Sequence, residues 1–116
     1  MSPPPQRTPA DSVMVQDGVK EDFFDRHRKD LGRAEAVWRS LVAKAPQLKA
    51  DTSFGPMFLP PKLPRGFVDL HPLRVLKGLP FAFRAVYVVE QHPTLGILVS
   101  IEWVGDHGEY ERLFGY

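Results

Sequence analysis

Arg74, Lys77 and Arg84 stand in the middle of the chain, and His107, Tyr110 and Arg112 stand near its end. A guanidinium stays charged at any relevant pH, and its planar fork suits two phosphate oxygens. Histidine gives or takes a proton near neutrality, and such a group contributes ~10²–10⁴-fold to a rate. Each residue also has a plain structural reading. Arg84 can pair across strands with Glu102 and merely solubilise a sheet. Arg74 and Lys77 can line a solvated strand edge, where lysine blocks aggregation. His107 can cap backbone near Asp106, and Tyr110 can pack with Phe114. Glu109 and Glu111 read as solvated acids, with orientation of His107 or Arg112 as their functional alternative.

The charge distribution leaves room for a local phosphate site. Net charge is only +1, which excludes a chain that is basic throughout. From Lys62 to Arg84, however, Lys62, Arg65, Arg74, Lys77 and Arg84 oppose Asp69 alone. Beyond Arg84, Glu90, Glu102, Asp106, Glu109 and Glu111 oppose Arg112. A local basic surface binds phosphate even when the total is near neutral.

Other chemistries are poorly provided for. With no cysteine there is no disulfide, thiol nucleophile or Cys-ligated zinc. His27, His71, His92 and His107 lack HExxH or another metal spacing. There is no P-loop, GxGxxG or GxSxG, so no cofactor is expected. "MSPPPQRTPADS" lacks a basic-then-apolar leader pattern, and no apolar run approaches a membrane span. The expected compartment is the cytoplasm.

The elements that must position these residues follow from periodicity. At 116 residues, with 43% hydrophobic and 25% charged residues, the chain suits one ordinary domain. The expected division is a disordered Pro-rich tail over 1–11 and a single domain over 12–116. "SVMVQ" suits a short first strand. Val19, Phe23, Phe24, His27 and Leu31 recur at helical spacing, with Asp17 as cap. Gly32 should break or bend that element. Ala34, Val37, Trp38, Leu41, Val42 and Ala45 form the clearest amphipathic helix, which Pro46 should end. "DTSFGPMFLPPKLPRG" has too many prolines for a central strand and reads as an ordered loop burying Phe54, Met57, Phe58 and Leu59.

Strands are expected over 70–77, 81–89 and 97–104, the last two joined as a hairpin by "EQHPTLG". Alternation puts Phe81, Phe83, Ala85, Tyr87 and Val89 on one face, and Arg84, Val86 and Val88 on the other. It likewise groups Ile97, Val99, Ile101 and Trp103 opposite Ser100 and Glu102. The expected fold class is α+β, with an N-terminal helical hairpin packed on one face of a small antiparallel sheet. The other face would be left for a ligand.

Three stretches carry a resemblance. "LRVLKGLPFAFRAVYVV" looks like a strand, turn and strand with a leucine-proline turn, an aromatic, an arginine and a tyrosine, here Leu79, Pro80, Phe83, Arg84 and Tyr87. "DHGEYERLFGY" looks like a C-terminal His-x-Glu-Tyr block, and "DTSFG" like a loop of the same branch. In this order they resemble the RelE/ParE superfamily of toxins from bacterial and archaeal toxin–antitoxin pairs, over roughly 13–116. The resemblance implies a toxin of the RelE-like mRNA interferase branch. Such an endoribonuclease cleaves mRNA, commonly on the ribosome, by metal-independent attack of a ribose 2′-hydroxyl on the adjacent phosphate.

The resemblance also assigns roles. Arg84 would hold the phosphate, His107 would move the proton, and Tyr110 would stack a base or support the leaving group. Arg74, Lys77 and Arg112 would bind backbone phosphates. A cognate antitoxin would cover the basic face and set the oligomeric state, with mRNA and the ribosome as further partners. RelE carries two lysines where this chain has Arg74 and Lys77. That departure keeps open a ParE-like toxin that inhibits gyrase without catalysis. The acidic C-terminal segment keeps open an inactive member acting as a binding module.

Overall fold

Two long runs of alternating and β-branched residues set the centre of the architecture. They form β4 (Arg84–His92) and β5 (Gly96–Gly105), an antiparallel hairpin in which His92 pairs with Gly96. In this computed structural model the described residues are 9–64, 67 and 72–116. Their other elements are β1 (Ser12–Val15), α1 (Val19–Arg26), α2 (Leu31–Ala50), β2 (Met57–Phe58), β3 (Leu73–Leu76) and α3 (His107–Phe114). Short 3-10 turns cover Arg28–Asp30 and Pro80–Ala82.

The fold class is α+β, as expected, but the sheet is mixed rather than antiparallel. Its order is β1-β5-β4-β3-β2, and β1 runs parallel to β5. A first strand followed by two helices crosses back over the sheet, and that crossover permits a parallel pairing a tight hairpin would forbid. Ala10 and Asp11, the last two residues of the tail expected over 1–11, are held by the fold. Ala10 is buried and its N–H donates to Lys49 O at 2.7 Å, while the Asp11 carboxylate accepts from Ile97 N–H at 2.7 Å. Residues 1–8 lie outside the described residues, as do Leu70 and His71 at the start of the strand expected over 70–77.

Helix α2 runs past Pro46 to Ala50. Proline removes one N–H donor, the one that would reach Val42 O. Val42 is exposed, so water can take that carbonyl, while the fully buried Leu48 anchors the last turn. Gly32 falls inside the first turn, after Asp30 caps it by accepting from Arg33 N–H.

Both faces of the sheet carry a core. Val19, Phe23, Ala34, Val37, Leu41 and Leu48 from the helices meet Ala85, Tyr87, Val99 and Ile101 on one face. On the other, Leu73, Val75, Val86, Val88, Trp103, Tyr110 and Phe114 form a second cluster, joined by Phe58 and Leu113. The face expected to be open is therefore largely covered by α3. The register slips between Val86 and Tyr87, which pair with Trp103 and Ile101. Glu102 is the extra residue, and this bulge turns Trp103 onto the second face, away from Ile97, Val99 and Ile101.

The Pro-rich loop buries less than expected. Phe58 is half-buried, but Phe54, Met57 and Leu59 are exposed. Its anchor is polar. The Tyr87 hydroxyl donates to Thr52 O and accepts from Gly55 N–H, both at 2.8 Å. Arg74 donates to Gly55 O at 2.8 Å. A Cβ on Gly55 would lie 2.6 Å from Val75 O, so only glycine allows this approach. Burial pushes the Tyr87 hydroxyl above its usual range. Tyr87→Phe should leave two buried backbone groups unpaired and cost about 1–3 kcal/mol. Chemical denaturation checks this, with an unchanged midpoint as the contrary result.

Candidate functional site

Helix α3 exists because Asp106 and Glu109 close a capping box. The Asp106 carboxylate accepts from Glu109 N–H at 2.8 Å, and Glu109 Oε1 accepts from Asp106 N–H at 2.9 Å. The helix then places Tyr110 and Phe114 one turn apart on the sheet. Gly115, at φ 82°, ends it in the left-handed conformation.

Glu109 does more than cap. Its Oε2 accepts from Arg26 at 2.5 Å and its Oε1 from the His27 ring Nε2 at 2.6 Å. Arg26 also donates to Val104 O at 2.5 Å, tying α1 to the end of β5. Burial acts to raise the Glu109 carboxyl. The bonds from Asp106 N–H, Arg26 and His27 outweigh it and hold the group below its ordinary value.

His27, Asp106 and Glu109 bring ligand-type atoms within 4.8 Å of one another. His27 Nε2, Asp106 Oδ1 and Glu109 Oε1 already serve hydrogen bonds within the fold, and a guanidinium sits on the same carboxylate. The arrangement is that of a clamp rather than of a cation site.

Between α3 and the β2–β3 edge lies a groove of about 460 Å³. Lys77, Arg84, His107, Tyr110, Glu111 and Tyr116 are among its walls, with Met57, Phe58 and Val75 supplying apolar surface. Arg84 begins β4, and the register sets Gly105, not Glu102, opposite it. Its guanidinium lies 4.7 Å from the Tyr110 ring centroid, a cation–π contact. Tyr116 stacks on Tyr110 at 5.6 Å and 12°. Burial and the neighbouring Tyr116 push the Tyr110 hydroxyl up to about 12, against the opposing pull of Arg84. Tyr110 is therefore protonated at neutral pH. His107 is exposed, and its ring Nε2 lies against the Glu111 carboxylate.

Four of the six residues singled out in the sequence thus share one groove: Lys77, Arg84, His107 and Tyr110. Arg74 does not join them. It pairs with Tyr87 in the register and points to the loop at Gly55. Arg112 lines a separate hollow of about 360 Å³ with Arg26, Lys62, Trp103 and Glu109. The Arg26–His27–Glu109 clamp and the lining role of Tyr116 were not foreseen. The D-x-x-E spacing of Asp106 and Glu109 signals a helix start, and would have suggested the cap. Nothing local links Glu109 to α1.

Comparison with protein families, with curated proteins and with solved structures finds no match to this chain.

Because the folded-state carboxyl of Glu109 is held low, the stability it contributes is fully present above its ordinary value of 4.5. That stability is lost as pH falls through the lowered value. Wild type should lose stability over that acid range, and Glu109→Gln should be less stable at neutral pH with a flatter acid limb. Urea midpoints across pH measure this. Parallel profiles for the two proteins would be the contrary result.

Proposed function

We propose that this protein is the toxin of a toxin–antitoxin pair and acts as a RelE-like endoribonuclease on mRNA in the cytoplasm, with a cognate antitoxin as its partner. The observation that carries the reading is the convergence of Lys77, Arg84 and the His107–Glu111 pair on one groove. These residues come from the end of β3, the start of β4 and the first turns of α3. The RelE/ParE-like arrangement of the helices on the sheet belongs to the same proposal.

The chemistry follows from the side chains. Arg84 and Lys77 hold the scissile phosphate and offset the charge that builds on it in the transition state. The ribose 2′-oxygen attacks phosphorus as its proton leaves, and the P–O5′ bond breaks as the 5′-oxygen gains a proton. A 2′,3′-cyclic phosphate and a 5′-hydroxyl result. His107, oriented by Glu111, is the proton-transfer group. Tyr110 keeps its proton and is buried, so it does not serve as a base. It supports Arg84 from beneath and can donate a hydrogen bond. Arg74 is engaged at Gly55 O and Arg112 lines the separate hollow, so neither is assigned to this step.

One feature favours a second reading, a binding module without turnover. Glu111 places an acidic side chain on the groove wall, which opposes the approach of a polyanion. Mapping 5′ ends of cellular mRNA after induction separates the two. New cuts are expected with wild type, falling about 10²-fold or more in Arg84→Ala and His107→Ala. Growth arrest or RNA binding without cuts would favour the binding module. Cuts that persist in both variants would overturn the assignment.

A further inference from the structure

The turn between β3 and β4 holds two residues in a costly conformation. Phe81 has φ 60° and ψ 28°, and Ala82 has φ 60°. Side chains with a Cβ rarely adopt this left-handed region, and seldom in succession. The core sets both ends of the turn. Leu79 and Phe83 are buried, and Phe83 N–H donates to Pro80 O at 3.2 Å. Yet what the turn displays is a large aromatic ring 56% exposed. Packing does not account for that ring. Strain held in place by its surroundings and spent on an exposed side chain points toward function.

The ring is not isolated. The Arg33 guanidinium lies 4.6 Å from its centroid and also pairs with Asp30 at 3.4 Å. The topology sets the turn at the same end of the sheet as the groove. Leu76, next to Lys77, pairs with Ala85, and Arg84 pairs with Gly105, where the chain turns into α3. Lys77, Phe81, Arg84 and His107 therefore lie at one end of the sheet, with Phe81 against Arg33 of α2 and Arg84 against Tyr110 of α3. An exposed aromatic ring beside a fixed cation is the composition of a single-strand platform. Bases stack on the ring in a sequence-tolerant way, and phosphates meet the cation.

We infer that Phe81, backed by Arg33, is a stacking platform for a base flanking the phosphate held at Arg84. The inference rests on the RNA reading of the groove and adds to it a binding surface outside the groove walls.

The test is fluorescence anisotropy with a short labelled single-stranded RNA of mixed sequence, on His107→Ala protein so that the RNA stays intact. Adding Phe81→Ala should weaken binding about tenfold. Adding Phe81→Trp should retain affinity, and its extra indole emission should be quenched by the RNA. Thermal melting checks that Phe81→Ala remains folded, and the tryptophan variant reports independently of it. Unchanged affinity in Phe81→Ala, no quenching in Phe81→Trp, or no RNA binding by the parent would each overturn the platform. Quenching in a protein whose wild type makes no mRNA cuts would keep the platform and reject the nuclease. Cuts by wild type with full affinity in Phe81→Ala would do the reverse.

Discussion

One carboxylate holds the C-terminal helix where the groove needs it. Glu109 accepts from its own cap backbone, from Arg26 and from His27, so it joins α3 to α1 across most of the chain. An eight-residue helix is marginal on its own in water. Here its first turn is fixed by the clamp and its last by Tyr110 and Phe114 against the sheet. Were α3 to shift, Tyr110 would leave Arg84, and His107 and Glu111 would leave the groove.

The second constraint is that both sheet faces are apolar at their centres. Val86 and Val88 on β4 and Val75 on β3 need cover, and the bulge at Glu102 brings Trp103 round to the same side. Helix α3 and Phe58 supply the cover. The groove is what remains between that helix and the β2–β3 edge, and it is small because most of the face is used for packing. Its polar groups sit where strands and helix end, which keeps charge off the buried centre of the sheet.

Much of the fold was legible in the residues, for local reasons. Alternation in "FAFRAVYVV" places Ala85 and Tyr87 on the helix face and Val86 and Val88 opposite, and the structure agrees. The apolar Val86 and Val88 were themselves a sign that the second face would be covered. The period through the bulge misled, because one extra residue reverses every later assignment. Pro46 misled because its cost is local and the buried Leu48 outweighs it. In the site, residue chemistry and the resemblance nominated six residues, of which Lys77, Arg84, His107 and Tyr110 share the groove. Parity along β3 already separated Arg74 from Lys77. The Glu109 clamp joins residues remote in the chain, so no spacing rule could show it.

The proposed nuclease reading requires that the groove hold RNA. NMR shift mapping tests this directly, using wild type and a single-stranded RNA blocked against cleavage by 2′-O-methylation. The account predicts that the largest shifts fall on Lys77, Arg84, His107 and Tyr110, with the helix-side core around Val37 and Leu41 unmoved. Shifts confined to other surfaces, or none at saturating RNA, would contradict it.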